Sequence, residues 1–177
     1  MKKLAVHLLQ FLIVIFVFGL ASCDDDGDGD NESGTADLLV GTWNTSDVDI
    51  DATVDNQSFI DYLVDEFDFT QEQAEFYYDL FISELESEIT GTLKFNSDNT
   101  YESNFDDEID NGTWSLSSDE KTLTLNDGSE NIVLTINSIS SNTLNVTITD
   151  DFTEDLDDDP GTPDEIIEIE ADITLTK

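Results

Sequence analysis

The chain has 177 residues, with 43 Asp plus Glu against five Lys and no Arg, one His and one Cys, for a formal net charge of −38. A length near 150 residues is typical of one hydrophobic core, so a single domain is expected. Nucleic-acid binding is excluded, because phosphate backbones require clustered Lys or Arg that this composition does not supply.

Residues 1–22 read MKKLAVHLLQFLIVIFVFGLAS: Lys2 and Lys3, then an apolar stretch from Leu4 to Phe18, the layout of a secretory signal peptide. The rival reading, a transmembrane anchor, needs about 20 apolar residues and a basic cluster behind them, and neither is present. The border Leu20-Ala21-Ser22-Cys23 resembles the lipobox of bacterial lipoproteins, which implies cleavage before Cys23 and acylation (palmitate and related chains) on that residue. Loss of Lys2 and Lys3 then leaves three lysines against 43 acids, a net charge of −40. With no second Cys, the domain has no disulfide to rely on.

Residues 23–36 form an acidic tether, DDDGDGDNESGTA after the cysteine, with too little apolar surface to order itself and the composition of a flexible coil. It resembles the acidic export tag of some Gram-negative surface lipoproteins, and equally reads as a plain spacer. The expected location is the outer membrane, held by the lipid anchor, on its periplasmic or external face.

From 37 to 177 the pattern becomes that of a β domain. Val48, Ile50, Ala52 and Val54 alternate with polar residues, as do Leu144, Val146 and Ile148, and then Ile167, Ile169, Ala171, Ile173 and Leu175. Period two marks strands with one wet and one apolar face. Strands are expected at 39–54, 90–96, 100–105, 112–117, 121–126, 131–139, 143–151 and 165–176. They are separated by tight turns such as Asn96–Asn99, Asp110-Asn111-Gly112 and Asp127-Gly128-Ser129. Eight strands in consecutive hairpins close as an antiparallel up-and-down barrel, which leaves no exposed edge; a sandwich is the alternative. Between strands 1 and 2, at 56–89, a helical insertion is expected, with helices over 57–66 and 71–89. Thr70 with Gln73 fits a capping box, and Ala74, Tyr78, Phe81 and Leu85 share one face. That stripe is expected to pack on the barrel, since so acidic a helix is repelled by anionic lipid.

The segments LLVGTWNTS (38–46), GTLKFNSDNTYESNF (91–105), NGTWSLSSDEKTLTLND (111–127) and INSISSNTLNVTI (136–148) resemble the lipocalin-like domain of bacterial envelope lipoproteins. The resemblance implies an all-β, eight-stranded lipocalin-like barrel with the insertion lying over its open mouth. Lipocalins pair the Trp of the first strand, here Trp43, with an Arg from a late strand. This chain has no Arg, so the likeness is to the looser lipocalin-like group.

Without His or a free Cys in the processed chain, Ser-His-Asp and Cys-His nucleophiles and His or Cys zinc sites are excluded, and no enzyme is expected. Calcium needs only oxygen ligands: Asp155, Asp157 and Asp159 stand at positions 1, 3 and 5 of a calcium-loop spacing, although position 6 is Pro160 and position 12 is Ile166. Asp24, Asp26, Asp28 and Gly29 match another loop start, with Thr35 where the bidentate Glu belongs. An eight-stranded barrel either fills with side chains or holds one small molecule. The expected inward residues Leu123, Leu125, Ile132, Leu134, Ile136, Ile167, Ile169 and Ile173 are large and favour filling. Two functions follow: a binder of a small neutral or apolar ligand, or a surface module for protein or carbohydrate contacts with a filled core.

Overall fold

The computed structural model describes residues 34–105, 108–156 and 163–177. The apolar leader, Cys23, most of the tether, Asp157 and Asp159 lie outside the described residues. The elements in chain order are α1 (Thr35–Leu39), β1 (Gly41–Val54), β2 (Gln57–Ser58), α2 (Phe59–Phe67), α3 (Gln71–Ile89), β3 (Gly91–Phe95), β4 (Thr100–Phe105), β5 (Glu108–Leu116), β6 (Thr122–Asn126), β7 (Asn131–Ile139), β8 (Thr143–Glu154) and β9 (Glu165–Thr176).

β1 and β3 to β9 each pair antiparallel with the next, and β1 pairs with β9, so eight strands close into the expected up-and-down barrel; β2 is a two-residue hairpin arm folded back on the end of β1. Asp55 and Asn56 make that turn with φ of 50° and 65°, a left-handed pair that short Asx side chains tolerate. Alternation decides which face turns inward. On β9, Ile167, Ile169, Ala171, Ile173 and Leu175 are buried while Ile166, Glu168, Glu170 and Asp172 are exposed. On β1 an extra residue between Thr45 and Asp47 shifts the register. Trp43 on one side of this bulge and Ile50, Ala52 and Val54 on the other therefore all face the core, although they differ in parity.

Two local expectations change. The tether does not extend to residue 36, because Thr35 and Ala36 already belong to α1, and Leu39, expected at the start of the first strand, closes that helix fully buried. Asp110-Asn111-Gly112 is not a turn but lies inside β5, paired with β4 from Glu108 onward. The ladder to β4 overrides the weak strand propensity of Asp and Asn. Gly112 is there for a close approach: a Cβ would lie 2.0 Å from the Asn126 carbonyl oxygen and 2.8 Å from the Tyr101 ring.

The helical insertion forms as the composition suggests. Ser58 caps α2 by accepting from the Asp61 amide. At α3 the capping box is complete: the Gln73 amide donates to Thr70 Oγ1 at 3.3 Å, and the Thr70 amide donates to Gln73 Oε1 at 3.0 Å. Ala74 and Leu85 are buried, and Tyr78 and Phe81 pack against the core. β1 pairs with β3 only through Gly41–Asn44, and α3 flanks the remaining edge. Tyr78 Oη donates to the Ile50 carbonyl at 3.4 Å, and Thr45 Oγ1 donates to the Ile89 carbonyl at 3.0 Å. The insertion thereby ties itself to the stretch of β1 that β3 does not pair.

At the opposite end, Trp43 is fully buried and its Nε1 donates to the Leu39 carbonyl at 2.7 Å. Lys177 Nζ stands 4.4 Å from the centre of that indole and donates to the carbonyls of Leu38 at 2.6 Å and Val40 at 2.9 Å. Desolvation pushes this ammonium below its ordinary range. A lysine from just beyond β9 thus covers the face of the tryptophan on β1.

Candidate functional site

The barrel interior is the first place to look for a ligand, and it is occupied. One contiguous cluster of buried apolar side chains draws on every barrel strand, from Trp43, Phe95 and Tyr101 through Trp114, Leu123 and Leu134 to Val146 and Ile173. Of the inward residues expected from the sequence, all are buried except Ile132, which is half-buried and packed against the same cluster.

Polar groups from β5, β8 and the turn before β7 come together around Glu130. Cross-strand pairing puts Asp110 opposite the buried Ser103, and Asp150 opposite the buried Ile169. Glu130 precedes β7. Desolvation first, then the negative charge of Asp127, Asp150 and Asp110, raises the Glu130 carboxyl above its ordinary range. Asp150 is raised chiefly by desolvation, and Asp151 adds repulsion. The Tyr101 hydroxyl is raised by burial and by Asp127, Asp110 and Glu130.

The pH dependence follows. A carboxyl whose folded pKa lies above its unfolded value contributes stability that is complete below the unfolded pKa and lost as pH rises through the folded one. Asp98, Asp119 and Asp127 shift the other way, because hydroxyls and amides of their own turns donate to them; their contribution disappears as pH falls through their lowered values. Thermal stability is therefore expected to fall as pH rises through the raised values of Glu130 and Asp150, and to fall again in acid as the lowered turn carboxylates are protonated. Glu130→Gln combined with Asp150→Asn should flatten the loss of stability on the alkaline side of the ordinary carboxylate range. Melting temperature against pH for the two proteins is the check, and parallel curves would remove these two carboxyls as the cause.

Outside the barrel, β1, β9 and β8 form a long three-stranded ribbon whose outer face is a ladder of acids. Asp49 stands opposite Asp172, Asp51 opposite Glu170, and Asp151 opposite Glu168. An open groove of about 490 Å³ follows this face, lined by Asp51, Thr53, Thr149, Asp151, Glu168 and Glu170 together with Asp150 and Ile169. Thr147 donates to Asp172, and Thr53 donates to Glu168 at 3.3 Å. No basic side chain enters the ladder from the described lysines: Lys94 pairs with Glu102 at 3.1 Å, Lys177 sits on Trp43, and Lys121 lies in the turn beside Asp119. Among the described residues no group of three or more acids converges on a point that a metal ion could occupy. Asp155 follows β8 directly, while Asp157 and Asp159 lie outside the described residues, so the calcium-loop spacing has no geometry to set beside it.

The third surface belongs to the helices. Beyond the stripe that packs on the barrel, α2 and α3 carry a second apolar face, with Phe67, Phe76, Tyr77 and Leu80 exposed at 38%, 59%, 44% and 52%. Rings chain along it: Phe76 to Tyr77 at 5.7 Å, Tyr77 stacked on Phe69 at 5.1 Å, Phe69 to Phe67 at 5.7 Å, and Phe67 edge-on to the buried Tyr62 at 6.1 Å. Phe76, Tyr77 and Leu80 are spaced at one, three and four residues, which places them together on a face of α3 distinct from the Ala74–Leu85 stripe.

No family model matches the chain, and no curated protein matches it. Among solved structures, the chain is similar to a DUF4847 family protein from Bacteroides vulgatus at 12% identity and a TM-score of 0.36, over 74% of this chain and 92% of that one. The barrel assignment rests on the strand ladder itself and takes nothing from this likeness.

Proposed function

We propose that the protein is a lipid-anchored, non-enzymatic envelope protein that acts as an interaction module: a filled barrel serving as a rigid scaffold, with its contacts made from the outside. The observation that carries this reading is the contiguous core that occupies the barrel from Trp43 to Ile173. Small-molecule sites are as a rule concave and mostly apolar, whereas the groove of about 490 Å³ is open and lined largely by carboxylates, and the inward side chains are large and mutually packed. The anchor rests on the apolar leader and the Leu20-Ala21-Ser22-Cys23 border.

Two measurements test the proposal. Native mass spectrometry of the full chain, purified from its own envelope, should show acyl chains on Cys23 and no further small-molecule adduct. A stoichiometric apolar adduct that survives removal of the acyl chains would replace the module with a carrier. Cys23→Ala should yield an unprocessed, unacylated precursor; an unchanged mass would refute the anchor.

A further inference from the structure

We infer that the exposed aromatic face of the helical insertion docks a basic, apolar segment of a partner protein, one that presents Lys or Arg beside Leu or aromatic side chains. The inference deepens the interaction-module reading and rests on it. Exposed rings grouped like Phe67, Phe76 and Tyr77 are unusual on a surface that has no use for them, and large aromatic side chains dominate binding energy at protein interfaces. Packing of the insertion does not call for them, because Ala74, Tyr78, Phe81 and Leu85 already hold α3 to the barrel.

Charge selects the occupant. Residues 59–89 contain ten carboxylates and no Lys, Arg or His. Glu72 lies one helical turn before Phe76 and Glu84 one turn after Leu80, while Asp79 sits between them on the same helix; Glu66 and Asp68 flank Phe67. An aromatic patch framed by acids attracts a cation twice, through the carboxylates and through the negative faces of the rings. It repels the other candidates. A second copy would bring another ten carboxylates to the same contact, and an anionic bilayer or a nucleic acid would bring phosphates.

The probe is a fluorescent peptide of Lys and Leu, with a Lys and Ser peptide of equal charge beside it. Both are titrated by fluorescence anisotropy against the full chain in neutral phosphatidylcholine vesicles, with empty vesicles as the blank. The Lys/Leu peptide should bind at least tenfold more tightly than the Lys/Ser peptide. Phe76→Ser with Leu80→Ser should erase that difference while leaving the melting temperature in place, since both side chains are exposed. Neutralising Glu72, Asp79 and Glu84 as Gln, Asn and Gln should weaken the Lys/Leu peptide at least tenfold. Equal binding of the two peptides, or an equal loss on changing Asp151 and Glu168 to Asn and Gln on the outer ladder, would reduce the effect to the general field of a polyanion and overturn the inference. Self-association abolished by Phe76→Ser and Leu80→Ser, without peptide binding, would assign the face to a second copy; uptake by anionic vesicles lost in the same variant would assign it to lipid. A ligand found inside the barrel would refute the filled scaffold without touching these titrations, so the two readings fail separately.

Discussion

Replacing Trp43 by Ala is expected to lower the unfolding free energy by about 3–5 kcal/mol, the usual cost of removing a large aromatic side chain from a packed core. Against a total of about 5–15 kcal/mol for an ordinary domain, that is a large share of the stability. Three things go together. The indole is fully buried, its N–H satisfies the last carbonyl of α1, and its face carries the Lys177 ammonium. Without the ring, that ammonium keeps two backbone carbonyls but loses the face beneath it, worth about 0.5–1 kcal/mol at an exposed site. The check is urea unfolding of wild type, Trp43→Ala, Lys177→Met and the double variant. A coupling of about 1 kcal/mol between the two sites is expected, since neighbouring changes are not additive. Strict additivity would show that the lysine lies over the ring without contributing.

The second large effect has the opposite sign. Like charges directly opposite one another on antiparallel strands destabilise by about 0.2–1 kcal/mol a pair, and the outer ribbon carries three such pairs: Asp49 with Asp172, Asp51 with Glu170 and Asp151 with Glu168. Removing one member of each, as Asp49→Asn, Asp51→Asn and Asp151→Asn, is expected to stabilise the protein by about 1–2 kcal/mol, which raises the melting temperature by roughly 2–8 °C for a domain of this size. Added salt should do part of the same work, because exposed charges are screened within about 10 Å at 0.1 M. Calcium and magnesium at matched ionic strength should then raise the melting temperature of wild type equally, and the triple variant should respond less to both. A calcium increment that magnesium does not reproduce would instead point to a specific site, with the Asp155, Asp157 and Asp159 spacing first in line. A triple variant no more stable than wild type would mean that the ladder's carboxylates already avoid one another.

The barrel was legible because its strongest signal is also its simplest. Ile167 to Leu175 alternate without a break, and period two leaves only one choice of inward face. The capping box at Thr70 and Gln73 was legible for a similar reason, since both partners lie within four residues. Register across strands was not. That Asp49 faces Asp172 depends on the pairing of chain segments far apart in sequence, and a bulge at Ser46 changes the parity of β1 midway. The Asp110-Asn111-Gly112 misreading shows the same limit: a local turn signal is outweighed by a ladder that only the folded neighbour supplies. The cation over Trp43 was not legible, because Lys177 reaches the ring only through the pairing of β1 with β9. The second aromatic face of α3 was written in the spacing of Phe76, Tyr77 and Leu80, but which of two apolar faces a helix buries is settled only by what it meets.

The closing pair of strands also sets a schedule for folding. Ten ladder partners join β1 to β9, and the first of them, Asn44 and Thr176, are 132 residues apart. Contacts so distant make barrels slow folders, in the range of milliseconds to seconds. Until the last dozen residues are available, β1 lacks its longest partner, β8 lacks the neighbour along its whole length, and Trp43 has no lysine over it. A chain without β9 therefore has a barrel whose seam is open on both sides, at β1 and at β8, so closure of the core waits for that strand.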